Sequence, residues 1–159
     1  MQLVITDANI FIDLYEIDLL ASLFKLPFKF YSTTYIMSEL DSECATQVQK
    51  KCELLEINST QIDQMDELAW NKGFTFPDKS ILFLAKQNSF TVLSGEKKMK
   101  TWCETNSLES HGVLYVLSNL IEHGIHNSKF VADKLSDLIE FNQWLPLEIC
   151  ISLIDKWKE

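Results

Sequence analysis

The sequence predicts an α/β fold, a three-layer sandwich in which helices cover both sides of a mostly parallel central sheet. Short apolar, β-branched runs stop abruptly at turn or acidic residues. Segments with apolar residues at helical spacing lie between them, and the two types alternate along the first two-thirds of the chain. Strand, helix, strand in this order favours parallel pairing through right-handed crossovers. The 159 residues suit one domain spanning 1–159, with about 113–159 read as a helical C-terminal extension.

Gln2-Leu3-Val4-Ile5-Thr6 reads as a buried strand that ends at Asp7-Ala8-Asn9. Apolar residues Phe11, Leu14, Ile17, Leu20 and Leu23 then recur at helical spacing, with a break near Ile17-Asp18, and Pro27 closes the segment. Phe28 to Tyr31 is a brief strand, and Ser32-Thr33-Thr34 can cap a helix bearing Ile36, Met37, Glu39 and Leu40. A polar helical stretch around Thr46 to Lys51 leads to a strand at Cys52 to Ile57. Asn58-Ser59-Thr60 caps a helix expected to run through Ala69 and Trp70 and to end at Gly73. Pro77-Asp78 opens an apolar helix, and Phe90 to Leu93 is a strand running into Ser94-Gly95-Glu96. From about His111 the pattern gives three further helical segments, punctuated by Gly124 and Pro146.

Composition narrows the function. Hydrophobic residues make up 47% and charged residues 23%, as in ordinary globular proteins. No apolar run reaches the ~18 residues of a membrane span, and the N-terminus lacks the pattern of a signal peptide, so the expected location is cytoplasmic with no membrane partner. The net charge of −9 disfavours broad nonspecific binding to nucleic acid. All 14 basic residues are Lys, so the planar fork that Arg offers to phosphate is missing. Cys44, Cys52, Cys103 and Cys150 spell no zinc or redox motif, and read as buried thiols. The four Trp residues, Trp70, Trp102, Trp144 and Trp157, read as packing groups rather than a platform for bases.

The acidic residues carry the chemistry. Asp7, Asp78 and Glu96 each have an ordinary explanation as a helix cap or a dipole complement, and Glu39 as a solvated helix residue. In an open parallel sheet, however, strand ends and the helix starts that follow them share one rim, where ligands bind. Carboxylates gathered there repel one another unless a cation compensates. An all-oxygen set favours Mg²⁺ or Mn²⁺, and such an ion suits phosphodiester hydrolysis. Lys97, Lys98 and Lys100 follow Glu96, where Lys97 and Lys98 can meet substrate phosphates.

These residues also carry a resemblance. Val4-Ile5-Thr6-Asp7-Ala8-Asn9-Ile10-Phe11-Ile12-Asp13-Leu14 resembles the opening of PIN-domain proteins, the metal-dependent ribonuclease fold that includes VapC toxins. Ser38-Glu39-Leu40, Pro77 to Ala85 and Val92-Leu93-Ser94-Gly95-Glu96 resemble the later acidic blocks, in the same order. The resemblance implies a Mg²⁺- or Mn²⁺-dependent endoribonuclease with Asp7, Glu39, Asp78 and Glu96 as catalytic and metal-binding acids, and Asn9 and Ser94 in support. It further implies an RNA substrate and, for a toxin of a toxin–antitoxin pair, an antitoxin partner and a homodimer. Glu96 stands where the family more often has Asp, and the segment after Gly112 is longer than in a compact VapC-like toxin. The contrasting expectation is a catalytically silent PIN-like module that binds another protein. A haloacid-dehalogenase-like phosphatase is set aside because its second Asp is replaced by Asn9.

Overall fold

The computed structural model describes residues 1–159. Five strands, β1 (Gln2–Thr6), β2 (Phe28–Thr33), β3 (Glu53–Leu55), β4 (Thr91–Leu93) and β5 (Ser110–His111), form one sheet in the order β3-β2-β1-β4-β5. Every pairing is parallel. Val4, Ile5 and Thr6 are all 0% exposed. Successive strand residues point to opposite faces, so the central strand is covered on both sides and the three layers follow.

Ten helices connect and flank the strands: α1 (Ala8–Glu16), α2 (Leu20–Leu23), α3 (Thr34–Met37), α4 (Ser42–Lys51), α5 (Ser59–Asp66), α6 (Phe76–Asn88), α7 (Lys97–Thr105), α8 (Val113–Glu122), α9 (Ser128–Phe141) and α10 (Leu147–Lys158). The break expected near Ile17-Asp18 separates α1 from α2, with Asp18 at φ 60°. The three C-terminal helices form as the sequence predicts. Their apolar faces, including Val131, Leu135, Leu138, Cys150 and Trp157, join the same 43-residue hydrophobic cluster that holds the sheet.

Three expectations need correction. The strand β5 was invisible in the sequence because its two residues are polar and half-buried at the sheet edge. Helix α5 ends at Asp66 rather than beyond Trp70. The Trp70 indole instead folds back to donate to the Met65 carbonyl at 2.9 Å, and Gly73 lies in a separate turn at φ 96°. Helix α3 stops at Met37, so Glu39 stands in the turn after it.

Strand order reverses at β1, whose two neighbours are β2 and β4. That reversal opens a crevice at the carboxyl ends of β1 and β4, the usual ligand position in open parallel sheets. Thr6 pairs with Leu93 in register, so Asp7 and Ser94 emerge side by side one residue later.

Candidate metal centre

Asp7 leaves β1 and caps α1. Its Oδ1 accepts from the Ala8 amide at 2.9 Å, and its own amide donates to the Leu93 carbonyl at 2.9 Å. The Ser94 hydroxyl donates to Asp7 Oδ2 at 3.0 Å and accepts from the Glu96 amide at 3.2 Å, which fixes the loop after β4. Asn9 Oδ1 accepts from the Gly95 amide at 3.1 Å and locks the same loop from α1. Asn9 and Ser94 thus both hold the acid-bearing backbone in place by hydrogen bonds.

Asp78 enters from α6 by another route. Thr75 caps this helix reciprocally: its hydroxyl accepts from the Asp78 amide at 3.3 Å, while Asp78 Oδ2 accepts from the Thr75 amide at 3.0 Å. The Thr-Phe-Pro-Asp spelling of this capping box was readable in the sequence but was not singled out there. A carboxylate that serves as the third helical residue is thereby pinned before any ligand arrives.

Asp7, Asp78 and Glu96 each bring a carboxylate oxygen into a group whose members all lie within 4.8 Å of one another. Asp7 and Asp78 are buried and Glu96 is half-buried. Burial pushes the Asp7 carboxyl up to about 7; the Ala8 amide opposes this, the Glu96 carboxylate adds to it, the Ser94 hydroxyl opposes it, and Asp78 adds further. Two buried acids and a third beside them are electrostatically unfavourable without a positive charge. The all-oxygen donor set, its spacing and a negative charge that one lysine offsets only in part fit a hard divalent cation.

Glu39 does not belong to that trio. It is an exposed residue, although partial shielding of its carboxyl, then Asp78 and Glu96, raise its pKa, and Lys98 lowers it. It therefore lies within electrostatic reach of the cluster without sharing its close geometry. Lys98 also differs from expectation. Its ammonium pairs with Asp78 at 2.8 Å and Glu96 at 3.2 Å, and donates to the Gly73 carbonyl at 2.7 Å. It is thus turned toward the acids, and the hydrogen bond to Asp78 is the main cause that raises its pKa. Lys97 and Lys100 remain exposed and make no ion pair.

Beside the cluster runs a groove of about 1030 Å³, lined in part by Asn9, Ser94, Glu96 and Lys97. It also reaches two residues that the sequence reading overlooked, Asp13 of α1 and Asn142 at the end of α9. Asn142 Nδ2 donates to both oxygens of the buried Asp13 carboxylate, at 3.3 and 3.0 Å. Burial pushes that carboxyl up to about 6, and the Asn142 hydrogen bond opposes the rise. Nothing in the local spelling marks this pair, whose members are 129 positions apart.

Trp144 corrects a further expectation. Trp157 is buried, and Trp70 stacks on Trp102 with centroids 5.0 Å apart, but Trp144 is 96% exposed on the α9–α10 loop beside the groove. It lies between α9 and α10, outside any helix, and so has no core-facing side to occupy.

No helix is long and apolar enough to cross a membrane. No curated protein matches the chain significantly. A family model described as a PIN domain matches residues 3–159. With a five-stranded parallel sheet, an acid cluster at its switch point and a match over nearly the whole sequence, the chain belongs to the PIN-domain family.

Proposed function

We propose that this protein is a Mg²⁺- or Mn²⁺-dependent endoribonuclease that hydrolyses RNA phosphodiester bonds. The observation that carries this reading is the convergence of Asp7, Asp78 and Glu96 oxygens within 4.8 Å at the sheet switch point. These three residues would hold the ion, and Glu39 adds negative charge nearby. A divalent ion bound there supplies Lewis-acid polarisation of the phosphodiester and lowers the pKa of the attacking water. Ser94 keeps the Asp7 carboxylate oriented through its hydroxyl, and Asn9 keeps the Gly95-Glu96 backbone from drifting away from it. Asp78 needs no rearrangement, because the Thr75 cap already fixes it. Lys98 holds a positive charge against Asp78 and Glu96 while the acids await a cation.

The narrower form of this proposal is a VapC-like toxin, for which the resemblance implies an antitoxin and a homodimer. A contrasting reading, a silent protein-binding module, is favoured by one feature: Lys98 already neutralises part of the cluster. The two separate in a cleavage assay. Wild-type protein with Mn²⁺ or Mg²⁺ should fragment a mixed-sequence RNA, chelation should stop it, and Asp7→Asn should reduce turnover by at least ~100-fold because it removes a ligand charge. Intact RNA across a panel of cellular and synthetic substrates would favour the silent module, and full activity in Asp7→Asn would displace the assigned site.

A further inference from the structure

The groove beside the acids carries features that cleavage itself does not use. Lys97 and Lys100 of α7 line one part of it, and Trp144 in the α9–α10 loop lines another. An indole 96% exposed on the groove wall offers a large flat face with a polar N–H edge, the kind of side chain that is enriched at contacts.

Trp144 is held out by its loop. Asn142 works in two directions: its Nδ2 binds the buried Asp13 carboxylate, and its Oδ1 accepts from the Trp144 amide at 3.0 Å. Asp13 lies one turn beyond Asn9 on the same face of α1, about 6 Å along the axis. Asn9 in turn holds the backbone that carries Glu96. One helix therefore sets the position of the Trp144 loop and of the acid loop together.

We infer that Trp144 is a stacking platform for a base of single-stranded RNA lying in this groove, next to the acid cluster, with Lys97 and Lys100 facing its phosphates. The inference rests on the ribonuclease reading and adds to it a base-binding residue outside the acid cluster. A chain with no Arg and a net charge of −9 gains little RNA affinity from phosphate neutralisation. Stacking supplies affinity that needs no cation and tolerates any base, because every base has a π-face. A duplex keeps its base faces stacked internally, so the platform selects single strands.

The test uses Asp7→Asn protein, so that cutting does not interfere, and a fluorescein-labelled 12-nucleotide single-stranded RNA followed by anisotropy. Adding Trp144→Ala should weaken binding roughly 5- to 100-fold, whereas Trp144→Tyr should keep most of it. Binding to a 12-base-pair RNA duplex should be weak and indifferent to both changes. Equal single-strand affinity in the Asp7→Asn protein and its Trp144→Ala derivative overturns the platform while leaving the nuclease reading intact. No binding of either RNA by the Asp7→Asn protein overturns both. Sedimentation of the wild-type chain supplies the remaining outcome: a dimer that Trp144→Ala dissociates, with RNA affinity unchanged, assigns the indole to a protein contact and overturns the platform.

Discussion

The Ser94 hydroxyl donates to Asp7 across 87 positions of sequence, and the same oxygen accepts from the Glu96 amide. One small side chain thus joins the acid after β1 to the acid that opens α7. Ser94→Ala leaves Asp7 Oδ2 buried without its side-chain donor, which costs ~1–2 kcal/mol. The unfolding midpoint should fall by about 2–8 °C. Mn²⁺ affinity, read by calorimetry, should fall with it, since both acids lose a common tether.

The raised carboxyls give the metal-free protein an inverted pH response. Asp7 titrates near 7 in the folded chain and near its ordinary value of 3.8 when unfolded. Between those values the folded state holds the extra proton, so stability declines as pH rises from about 4 to about 7 and stays low above that. Asp13, raised to about 6, acts in the same direction. Thermal unfolding in the absence of metal should therefore show higher stability at pH 5 than at pH 8, by an amount on the order of a few kcal/mol. Mn²⁺ should stabilise more at pH 8 than at pH 5, and Asp7→Asn should flatten both trends.

Lys98 competes for the position that a cation would serve. Its ammonium lies against Asp78 and Glu96, and the side chain as a whole is about one-third exposed. Lys98→Met removes the competitor and keeps the aliphatic stem. Mn²⁺ binding should tighten about threefold to tenfold, from an interaction worth ~1 kcal/mol, while metal-free stability drops. Weaker Mn²⁺ binding in the variant would instead show that Lys98 helps to build the site.

The cap of α6 offers a structural control. Thr75→Val keeps the shape but removes the acceptor for the Asp78 amide. Stability should fall by ~1 kcal/mol, read as a drop of about 2–4 °C in Tm. The Asp78 carboxylate still accepts from residue 75's amide, so Mn²⁺ affinity should change less than in Ser94→Ala. A larger loss of affinity would mean that the cap positions Asp78 more than Ser94 positions Asp7.

Those parts of the fold with a strong local signal were legible beforehand. β1 and β4 announce themselves by unbroken apolar runs, and the helices by their spacing, because burial on both faces leaves no polar alternation to misread. β5 and the end of α3 escaped for the opposite reason: a two-residue polar strand and a turn carry no period. In the site, Asp7, Asp78 and Glu96 could be anticipated because each sits at a strand end or helix start, and topology alone brings such places together. Glu39 follows an apolar pattern that reads as a longer helix, but α3 ends at Met37 and leaves it in a turn. The turning of Lys98 toward the acids, the Asp13–Asn142 link and the exposed Trp144 depend on tertiary contacts between distant segments, which no short window contains.

The placement of β1 at the middle of the sheet has a temporal consequence. β1 is made first, yet one of its neighbours is β4, so pairing the two closes a loop of about 87 residues, with an entropic cost of ~4 kcal/mol before any compensating contacts form. Parallel sheets with such separated partners fold slowly. During synthesis, Asp7 emerges long before Ser94 and Glu96, and the amino-terminal half alone cannot assemble the acid cluster. Any activity that depends on the cluster is withheld until β4 has docked, so an incomplete chain on the ribosome lacks whatever chemistry the assembled acids supply.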